Sequence, residues 1–246
     1  MRLALLTDIH ANREAFEAVL SDLAQRQIDR LVILGDIVGY GPDPDWCLEA
    51  VEDMVKRGAI CVRGNHDRAV GAPDGTMNAN ARRVIDWTVN RLSARQRLFL
   101  QELPLVVEED DMLFVHASAN DPADWIYVTS EQKAMPSFRV SQARLIFCGH
   151  VHRAQLFSCD RSGRVQQFPA TPAQPIPLLT SRRWLAVVGS VGQPRDGSAM
   201  AGYAILDRAT NELTFRKVGY DAATTARKSR ACGLPEVLAQ RLMKGI

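Results

Sequence analysis

The sequence of 246 residues lacks several features that mark particular classes of protein. It contains no apolar run long enough for a transmembrane helix, and the short run Leu3 to Leu6 is closed by Asp8, unlike a signal peptide. The formal net charge is only +2, so the composition indicates neither a nucleic-acid partner nor a membrane surface. The cysteines form no C-x-x-C pair, which fits a reducing compartment better than a disulfide framework. We therefore expect a cytoplasmic protein without a membrane or nucleic-acid partner.

The chain nevertheless has the size and the apolar content to build a substantial core. Hydrophobic residues make up 46% of the sequence and charged residues 24%, which is ordinary for a globular protein. No internal repeat and no low-complexity tract divides it. We expect a single domain over residues 1–246, and a homo-oligomer is compatible with this composition.

Apolar runs alternate with helical patterns along the first part of the chain. Leu3 to Leu6, Leu31 to Leu34 and Ala59 to Val62 have the length and composition of buried strands. Helical spacing of apolar residues follows the first strand over 11–26, and Pro44 begins a second helix after the second strand. This alternation of strands and helices predicts a layered α/β fold.

The later part of the chain is predicted mainly as strands, followed by two C-terminal helices. The predicted strands are Leu105 to Glu108, Met112 to Val115, Leu145 to Cys148, Ala154 to Ser158, Arg164 to Phe168, Trp184 to Val188, Gly202 to Leu206 and Leu213 to Val218. Two helices are predicted from Asn78 to Leu92 and after Ser93. Residues 117–144 have no clear pattern. The four prolines of 169–177 predict a loop rather than a strand.

Polar side chains follow five of the predicted strands at the point where each strand ends. These residues are Asp8 with His10, Asp36, Asn65 with His66, His116, and His150 with His152. They include every histidine of the chain. If each histidine were an unrelated hydrogen-bonded residue, there would be no reason for all of them to follow strand ends. On extended chain, side chains two residues apart point the same way, so Asp8 and His10 are expected to project together. Imidazole and carboxylate ligands in this number suit two ions of Mn, Fe, Zn or Ni.

The blocks that contain these residues resemble the calcineurin-like metallophosphoesterase superfamily. The resemblance covers Asp8-Ile-His10, Gly35-Asp36, Gly64-Asn65-His66-Asp67, His116 and Gly149-His150-Val151-His152, in that order along residues 8–152. It implies a four-layer αββα sandwich, which the strands and helices of residues 153–246 complete, and a centre of two divalent metals. By this resemblance the first metal is bound by Asp8, His10 and His152, the second by Asn65, His116 and His150, and both by Asp36. His66 matches the catalytic histidine of the family.

Four further residues have two competing interpretations each. Asp67 is either the carboxylate that orients His66 or an ordinary surface charge. Asn12 is either a helix cap or a substrate contact, and Tyr40 either shapes the wall of the pocket or packs within its loop. Arg195 lies in the glycine-rich segment 189–197, which is either a tight turn or a phosphate contact. That segment resembles one in a bacterial branch with small phosphodiesterases and dinucleoside polyphosphate hydrolases, which favours a substrate contact for Arg195.

The resemblance implies a metal-dependent phosphoesterase, with Mn or Fe favoured as the metals. The substrate is expected to be a small phosphorylated molecule, either a nucleotide phosphodiester or a dinucleoside polyphosphate. Hydroxide activated by the two metals is the implied nucleophile, so the chemistry needs no serine or cysteine nucleophile. One alternative is a phosphoprotein Ser/Thr phosphatase, since the same centre serves both groups. Another is a non-catalytic scaffold with the same fold, although a scaffold would be expected to lose ligands that this chain retains.

Overall fold

Two six-stranded sheets form the centre of the molecule in a computed structural model that describes residues 1–72 and 79–246. The first sheet contains, in spatial order, β3 (Ile60–Cys61), β2 (Arg30–Ile33), β1 (Arg2–Leu6), β11 (Met200–Asp207), β12 (Glu212–Gly219) and β9 (Pro175–Pro177). The second contains β4 (Val106–Glu109), β5 (Met112–Val115), β6 (Leu145–Cys148), β10 (Arg183–Val187), β7 (Gln155–Cys159) and β8 (Val165–Phe168). Strands β1, β2 and β3 are parallel, as are β5, β6 and β10. Their carboxyl ends therefore form one edge in each sheet.

Eight α-helices and one 3₁₀ turn accompany the sheets in the described residues. They are α1 (Arg13–Ala24), α2 (Pro44–Lys56), α3 (Asn65–Gly71), α4 (Ala79–Arg91), α5 (Ala94–Glu102), the turn Pro122–Asp124, α6 (Glu131–Val140), α7 (Ala222–Ala231) and α8 (Glu236–Lys244). Within these described ranges, no helix combines the length and the apolar character needed to cross a membrane.

Three buried apolar clusters separate four layers. In β1, Leu3 and Leu5 belong to the cluster between the two sheets, whereas Ala4 and Leu6 belong to the cluster under α1 and α2. A third cluster packs α6 against the outer face of the second sheet through Phe138. Because both faces of β1 are buried, its sequence is continuously apolar instead of alternating. The layers are thus helix, sheet, sheet and helix, which confirms the predicted αββα sandwich.

Two differences from the predicted elements concern residues 175–177 and 117–144, and one predicted boundary lies outside the described residues. Residues 175–177 form edge strand β9, which pairs with β12, although a loop was predicted there. Proline is tolerated on an edge strand because one side of that strand needs no ladder hydrogen bonds. The unassigned segment 117–144 contains α6. The predicted helix start at Asn78 lies outside the described residues, and α4 is described from Ala79.

Candidate metal centre

The loops that follow the parallel strands meet at one edge and bring the predicted ligands together. Asp8 and His10 follow β1, Asp36 follows β2, and Asn65 begins α3 directly after β3 and its loop. His116 follows β5 at once, and His150 and His152 follow β6. In open α/β sheets this is the edge at which ligands bind.

The backbone of this edge is not extended, which corrects the predicted geometry of Asp8 and His10. Strand β1 ends at Leu6, and φ is +53° at Asp8 and +49° at His10. Asp36, His150 and His152 also have positive φ values. Left-handed backbone is costly for residues other than glycine and persists only where the surrounding fold imposes it. Alternation along a strand therefore does not explain why these side chains meet, and the loop conformation does.

Backbone hydrogen bonds and close glycine contacts hold these loops. The amide of Asp8 donates to the carbonyl oxygen of Gly35 at 3.0 Å, and the amide of Gly192 donates to that of Asp8 at 2.8 Å. A Cβ atom on Gly192 would lie 1.8 Å from the carbonyl oxygen of Ile9, and one on Gly149 would lie 1.9 Å from Thr7 Oγ1. Side chains are thus excluded at both glycines, and the loops pack backbone against backbone.

The first ligand group consists of Asp8, His10 and His152. Asp8 Oδ1 lies 3.2 Å from His152 Nε2 and 3.7 Å from His10 Nε2, and the two Nε2 atoms are 3.2 Å apart. The Nδ1 atoms of His10 and His152 donate to the carbonyl oxygens of Val38 and Gln193, at 3.1 and 2.6 Å. Because carbonyls only accept, the hydrogen of each neutral ring is on Nδ1, and the Nε2 lone pairs face Asp8. Burial lowers the pKa of both histidines, which keeps them neutral.

The second ligand group consists of Asn65, His116 and His150. His116 Nε2 lies 3.2 Å from Asn65 Oδ1 and 3.1 Å from His150 Nδ1, while His116 Nδ1 donates to the carbonyl oxygen of Leu34 at 2.7 Å. Burial lowers the pKa of His150 to about 3. Burial also opposes a charge on His116, but the neighbouring carboxylate of Asp36 outweighs it and raises the pKa of His116 to about 9. A metal ion at this position would replace the proton on Nε2.

Asp36 lies between the two groups. Its Oδ2 is 3.6 Å from His10 Nε2 and 3.4 Å from His116 Nε2, and its Oδ1 accepts from the amide of His66 at 2.8 Å. Burial would raise the pKa of Asp36, but His116 and His66 together hold it well below its usual range. This carboxylate is therefore ionised, and it faces one imidazole of each group.

The donor set fits divalent metals by its chemistry and by one unpartnered atom. In each of two sets of side chains, the nitrogen and oxygen atoms that could bind a metal lie within 4.8 Å of one another. The sets are Asp8, His10 and His152, and Asp36, His116 and His150. Asp8 Oδ1 is buried and accepts no hydrogen bond from residues 1–72 or 79–246. Among the described residues, only histidines form ion pairs with Asp8 and Asp36. Buried carboxylates without a cationic partner are expensive, and a bound metal would supply the missing charge.

His66 lies beside His10 of the first group and beside Asp36, and its ring is not a hydrogen-bond partner of Asp67. A ring nitrogen of His66 is within 4.8 Å of ligand atoms of His10 and Asp36, and the ring packs at 4.4 Å from that of Tyr40. The buried His66 Nδ1 has no hydrogen-bond partner in the part of the chain that the structure describes, and burial lowers the pKa of the imidazole.

The surface-charge interpretation of Asp67 is wrong, because the residue is fully buried. Its carboxylate accepts from the backbone amides of Ile37 at 2.9 Å, Val38 at 3.2 Å and Gly64 at 3.0 Å, and the imidazole of His66 is not among its partners. Burial, together with the charge of Asp36, raises the pKa of Asp67 to about 7. Asp67 therefore ties the loop after β2 to the start of α3 instead of orienting His66 directly.

A cleft of about 700 Å³ opens onto the centre. Asp36, Asn65, His66, His150 and His152 form part of its surface.

Tyr40 and Arg195 both line this cleft. This position of Tyr40 agrees with its interpretation as part of the pocket wall. The Arg195 guanidinium lies 5.9 Å from the centre of the Tyr40 ring and donates to Gln193 Oε1 at 2.9 Å. Asn12 instead caps α1 by accepting from the amide of Ala15 at 3.1 Å, and it donates to the carbonyl oxygen of Gly192 at 2.8 Å. It is not part of the cleft surface.

The cleft residues that were not predicted from the sequence include Arg68, Trp125, Ile126 and Tyr127. The position of Arg68 could have been predicted from its spacing. It lies three residues after Asn65 on the helix that begins there, and residues three apart share a helix face. No sequence pattern predicts the positions of Trp125 to Tyr127, because their segment shows neither strand nor helix periodicity.

Comparison with known proteins agrees with this geometry. Residues 1–211 match the model of the calcineurin-like phosphoesterase superfamily domain. An uncharacterised protein of Methanocaldococcus jannaschii is 33% identical over 99% of this chain and 98% of its own length. The crystal structure of a metallophosphoesterase from Sphaerobacter thermophilus has a TM-score of 0.88 and 36% identity, covering 100% of this chain and 99% of that one. The phosphodiesterase YfcE of Escherichia coli is 30% identical over 47% of this chain and 68% of its own length. The chain belongs to the calcineurin-like phosphoesterase superfamily.

Proposed function

We propose that this protein is a dinuclear metal-dependent phosphoesterase that hydrolyses a small phosphorylated substrate. The observation that carries the proposal is the buried Asp8 Oδ1, which accepts no hydrogen bond from the described residues and faces two imidazole Nε2 atoms, one of which belongs to the cleft residue His152. In the proposed centre the first metal is held by Asp8, His10 and His152. The second is held by Asn65, His116 and His150, and Asp36 binds both.

The donor set supports first-row divalent metals. Imidazole, carboxylate and amide donors without a thiolate suit Mn, Fe, Zn or Ni, and we favour Mn or Fe. Two such ions would polarise the phosphoryl oxygens and lower the pKa of a water that attacks phosphorus. The backbone carbonyls of Val38, Leu34 and Gln193 orient three of the imidazoles toward the ions.

His66 is proposed to serve the leaving group. Its ring reaches the ligand atoms of His10 and Asp36, and it is neutral in the free protein because burial lowers its pKa. A bound phosphate anion favours the protonated ring, since an opposite charge nearby raises the pKa of an imidazole. His66 would then hold a proton at the leaving oxygen and donate it as the ester bond breaks. Tyr40 packs against His66 and fixes the plane of its ring.

Arg195 is proposed to hold an anionic oxygen of the substrate. It is positioned in the cleft by Gln193 and by the face of Tyr40. Asn12 is not among the contacts that we propose, because its side-chain amide is already engaged in capping α1 and in binding Gly192.

The phosphodiesterase YfcE supports a diester substrate, and we favour a nucleotide phosphodiester or a dinucleoside polyphosphate. A volume of about 700 Å³ accommodates a molecule of this size. The complete ligand set favours an enzyme over a scaffold.

Turnover assays with the full-length protein test this proposal. The protein is loaded with Mn²⁺ and assayed on bis(p-nitrophenyl) phosphate and p-nitrophenyl phosphate, then on diadenosine tetraphosphate, cyclic nucleotides and a phosphopeptide. We expect the diester or a dinucleotide to be the best substrate. Absence of turnover on every compound would refute the enzyme, and preference for the phosphopeptide would favour a phosphoprotein phosphatase.

A further inference from the structure

An aromatic surface borders the cleft on the side of the second ligand group. We call Trp125 and Tyr127 the aromatic wall. The Tyr127 ring stacks on the imidazole of His150 with a centroid distance of 4.0 Å and an angle of 21° between the planes. Tyr127 nevertheless keeps 46% of its surface exposed, and Trp125 is only partly buried. One face of the tyrosine ring thus covers a ligand, while the rest of the ring borders the cleft.

The fold holds the aromatic wall in place at a conformational cost. Trp125 has φ of +53°, and Asp121, at the other end of the turn Pro122–Asp124, has φ of +49°. Left-handed backbone is unfavourable for a residue as bulky as tryptophan. Val128, immediately after the wall, is buried in the cluster under α6 and anchors the segment. The Trp125 ring lies 5.9 Å from that of His116, edge to face.

The aromatic wall and His66 contact different parts of the centre. His66 packs against His10 and Tyr40, whereas the wall packs against His116 and His150 of the second ligand group. If His66 serves the leaving oxygen, the wall is on the side of the group that stays bonded to phosphorus.

We propose that the aromatic wall is a subsite for a nucleobase on the retained side of the scissile phosphate. This inference rests on the proposed function and assigns its substrate class, a nucleotide ester. An exposed ring beside a polar, charged floor offers a π-face to a flat, heteroaromatic partner, and bases stack on such rings with little dependence on their identity. The phosphate of the same molecule would lie over the centre, toward Arg195.

Two esters with the same leaving group separate this subsite from the chemistry. Thymidine 5′-(p-nitrophenyl phosphate) carries a base on its retained group, whereas methyl p-nitrophenyl phosphate carries only a methyl group. We expect the Mn²⁺-loaded wild type to have the lower KM for the thymidine ester. Tyr127→Leu keeps apolar cover over His150 but cannot stack, and it should raise that KM about tenfold. The ratio of kcat/KM for the thymidine ester to that for the methyl ester should fall about tenfold, because only the thymidine ester has a base to stack.

Matched variants complete the experiment. Tyr127→Phe retains the ring and should behave like wild type on both esters, while Trp125→Leu should raise KM for the thymidine ester alone. Equal losses on both esters would overturn the subsite, because they would place the wall on the leaving group or give it a purely structural role. Unchanged KM values for the thymidine ester would overturn it as well.

A binding measurement separates this proposal from the proposed function. Calorimetric titration of the Mn²⁺-loaded protein with thymidine 5′-monophosphate and with methyl phosphate requires no turnover. We expect tighter binding of the nucleotide in the wild type and loss of that preference in Tyr127→Leu. If the wild type hydrolysed neither ester, the enzyme would be refuted while the titration still decided the subsite. Equal binding of the two phosphates by the wild type would overturn it.

Discussion

The two ligand groups are built differently, although they share Asp36. Asp8, His10 and His152 all have left-handed backbone and exposures of 0%, 1% and 2%. In the second group only His150 has positive φ, and Asn65 is partly exposed at the start of α3. The first group reaches the cleft through His152 and is otherwise enclosed by closely packed loops, whereas the second reaches it through Asn65 and His150 and also contacts the aromatic wall. The fold thus encloses the first group more tightly than the second.

The groups also differ in their electrostatic state without metal. In the first group, burial raises the pKa of Asp8 to about 6, and both imidazoles are neutral. In the second group the charge on Asp36 is compensated by the protonated His116. The first group therefore depends more strongly on a metal for charge compensation.

Replacing Asp36 should abolish metal binding at both groups, so that the two groups no longer differ in this respect. Asp36→Asn keeps the size of the side chain but loses the charge that faces His10 and His116. We expect loss of both metals and a fall in kcat/KM of at least about a thousandfold, since metals supply several kcal/mol of transition-state stabilisation. Metal content after gel filtration and turnover of the aryl diester measure this. Asp124→Asn, an exposed cleft carboxylate, is the matched control and should retain its metals.

Removing His66 should leave both groups loaded and impair only the chemistry. His66→Ala should retain two metals per chain and lose about a hundredfold to a thousandfold in kcat, as expected for a missing proton donor. The loss should be smaller for esters with better leaving groups, since these need less protonation. An equal loss across leaving groups, or a loss of metal, would assign His66 to metal binding instead.

The sequence predicted which residues meet, but not how they are held. Histidines and carboxylates at strand ends are visible from apolar runs that stop abruptly, and parallel strands bring those ends to one edge. The left-handed loops were missed, because apolar periodicity does not encode the φ of Asp8 or His10. Trp125 and Tyr127 were missed for a related reason. A segment fixed by a single buried residue, Val128, leaves no periodic pattern.

Neutralising Asp8 should stabilise the metal-free protein and at the same time weaken metal binding by the first group. Since burial raises the pKa of Asp8 from 3.8 to about 6, the folded metal-free protein binds the proton more tightly than the unfolded chain. The metal-free protein therefore loses stability as the pH rises from about 4 to 6. At pH 7 it bears the full cost of holding the buried Asp8 in its ionised form. Asp8→Asn should stabilise the chelator-treated protein at pH 7 by on the order of 2–3 kcal/mol and weaken metal binding.

The substituted amide fits the existing contacts of Asp8. Its oxygen can accept from Thr7 Oγ1 and the amide of His150, and its NH₂ can face the Nε2 atoms of the first group. Thermal unfolding with and without chelator, at pH 5 and pH 7, measures the effect. The gain should shrink at pH 5. A metal-free variant that unfolds at the wild-type temperature at both pH values would contradict the assigned charge penalty.

A methyl group at Gly149 should disturb the first group before the second. It would lie 1.9 Å from Thr7 Oγ1 and 2.8 Å from Asp8 Oδ2, so the carboxylate of Asp8 must shift. Any effect on His150 has to pass through the backbone that joins it to Gly149 or through its amide, which donates to Asp8 Oδ2. Gly149→Ala should cost about 1–2 kcal/mol in unfolding free energy, as overpacking does, and weaken the first of two Mn²⁺ binding steps. Gly219→Ala, where nothing lies within 4 Å, is the matched control and should be neutral. Equal weakening of both metal steps in Gly149→Ala would show that the two groups respond as one rigid unit, because the shift of Asp8 would then have been transmitted in full to His150.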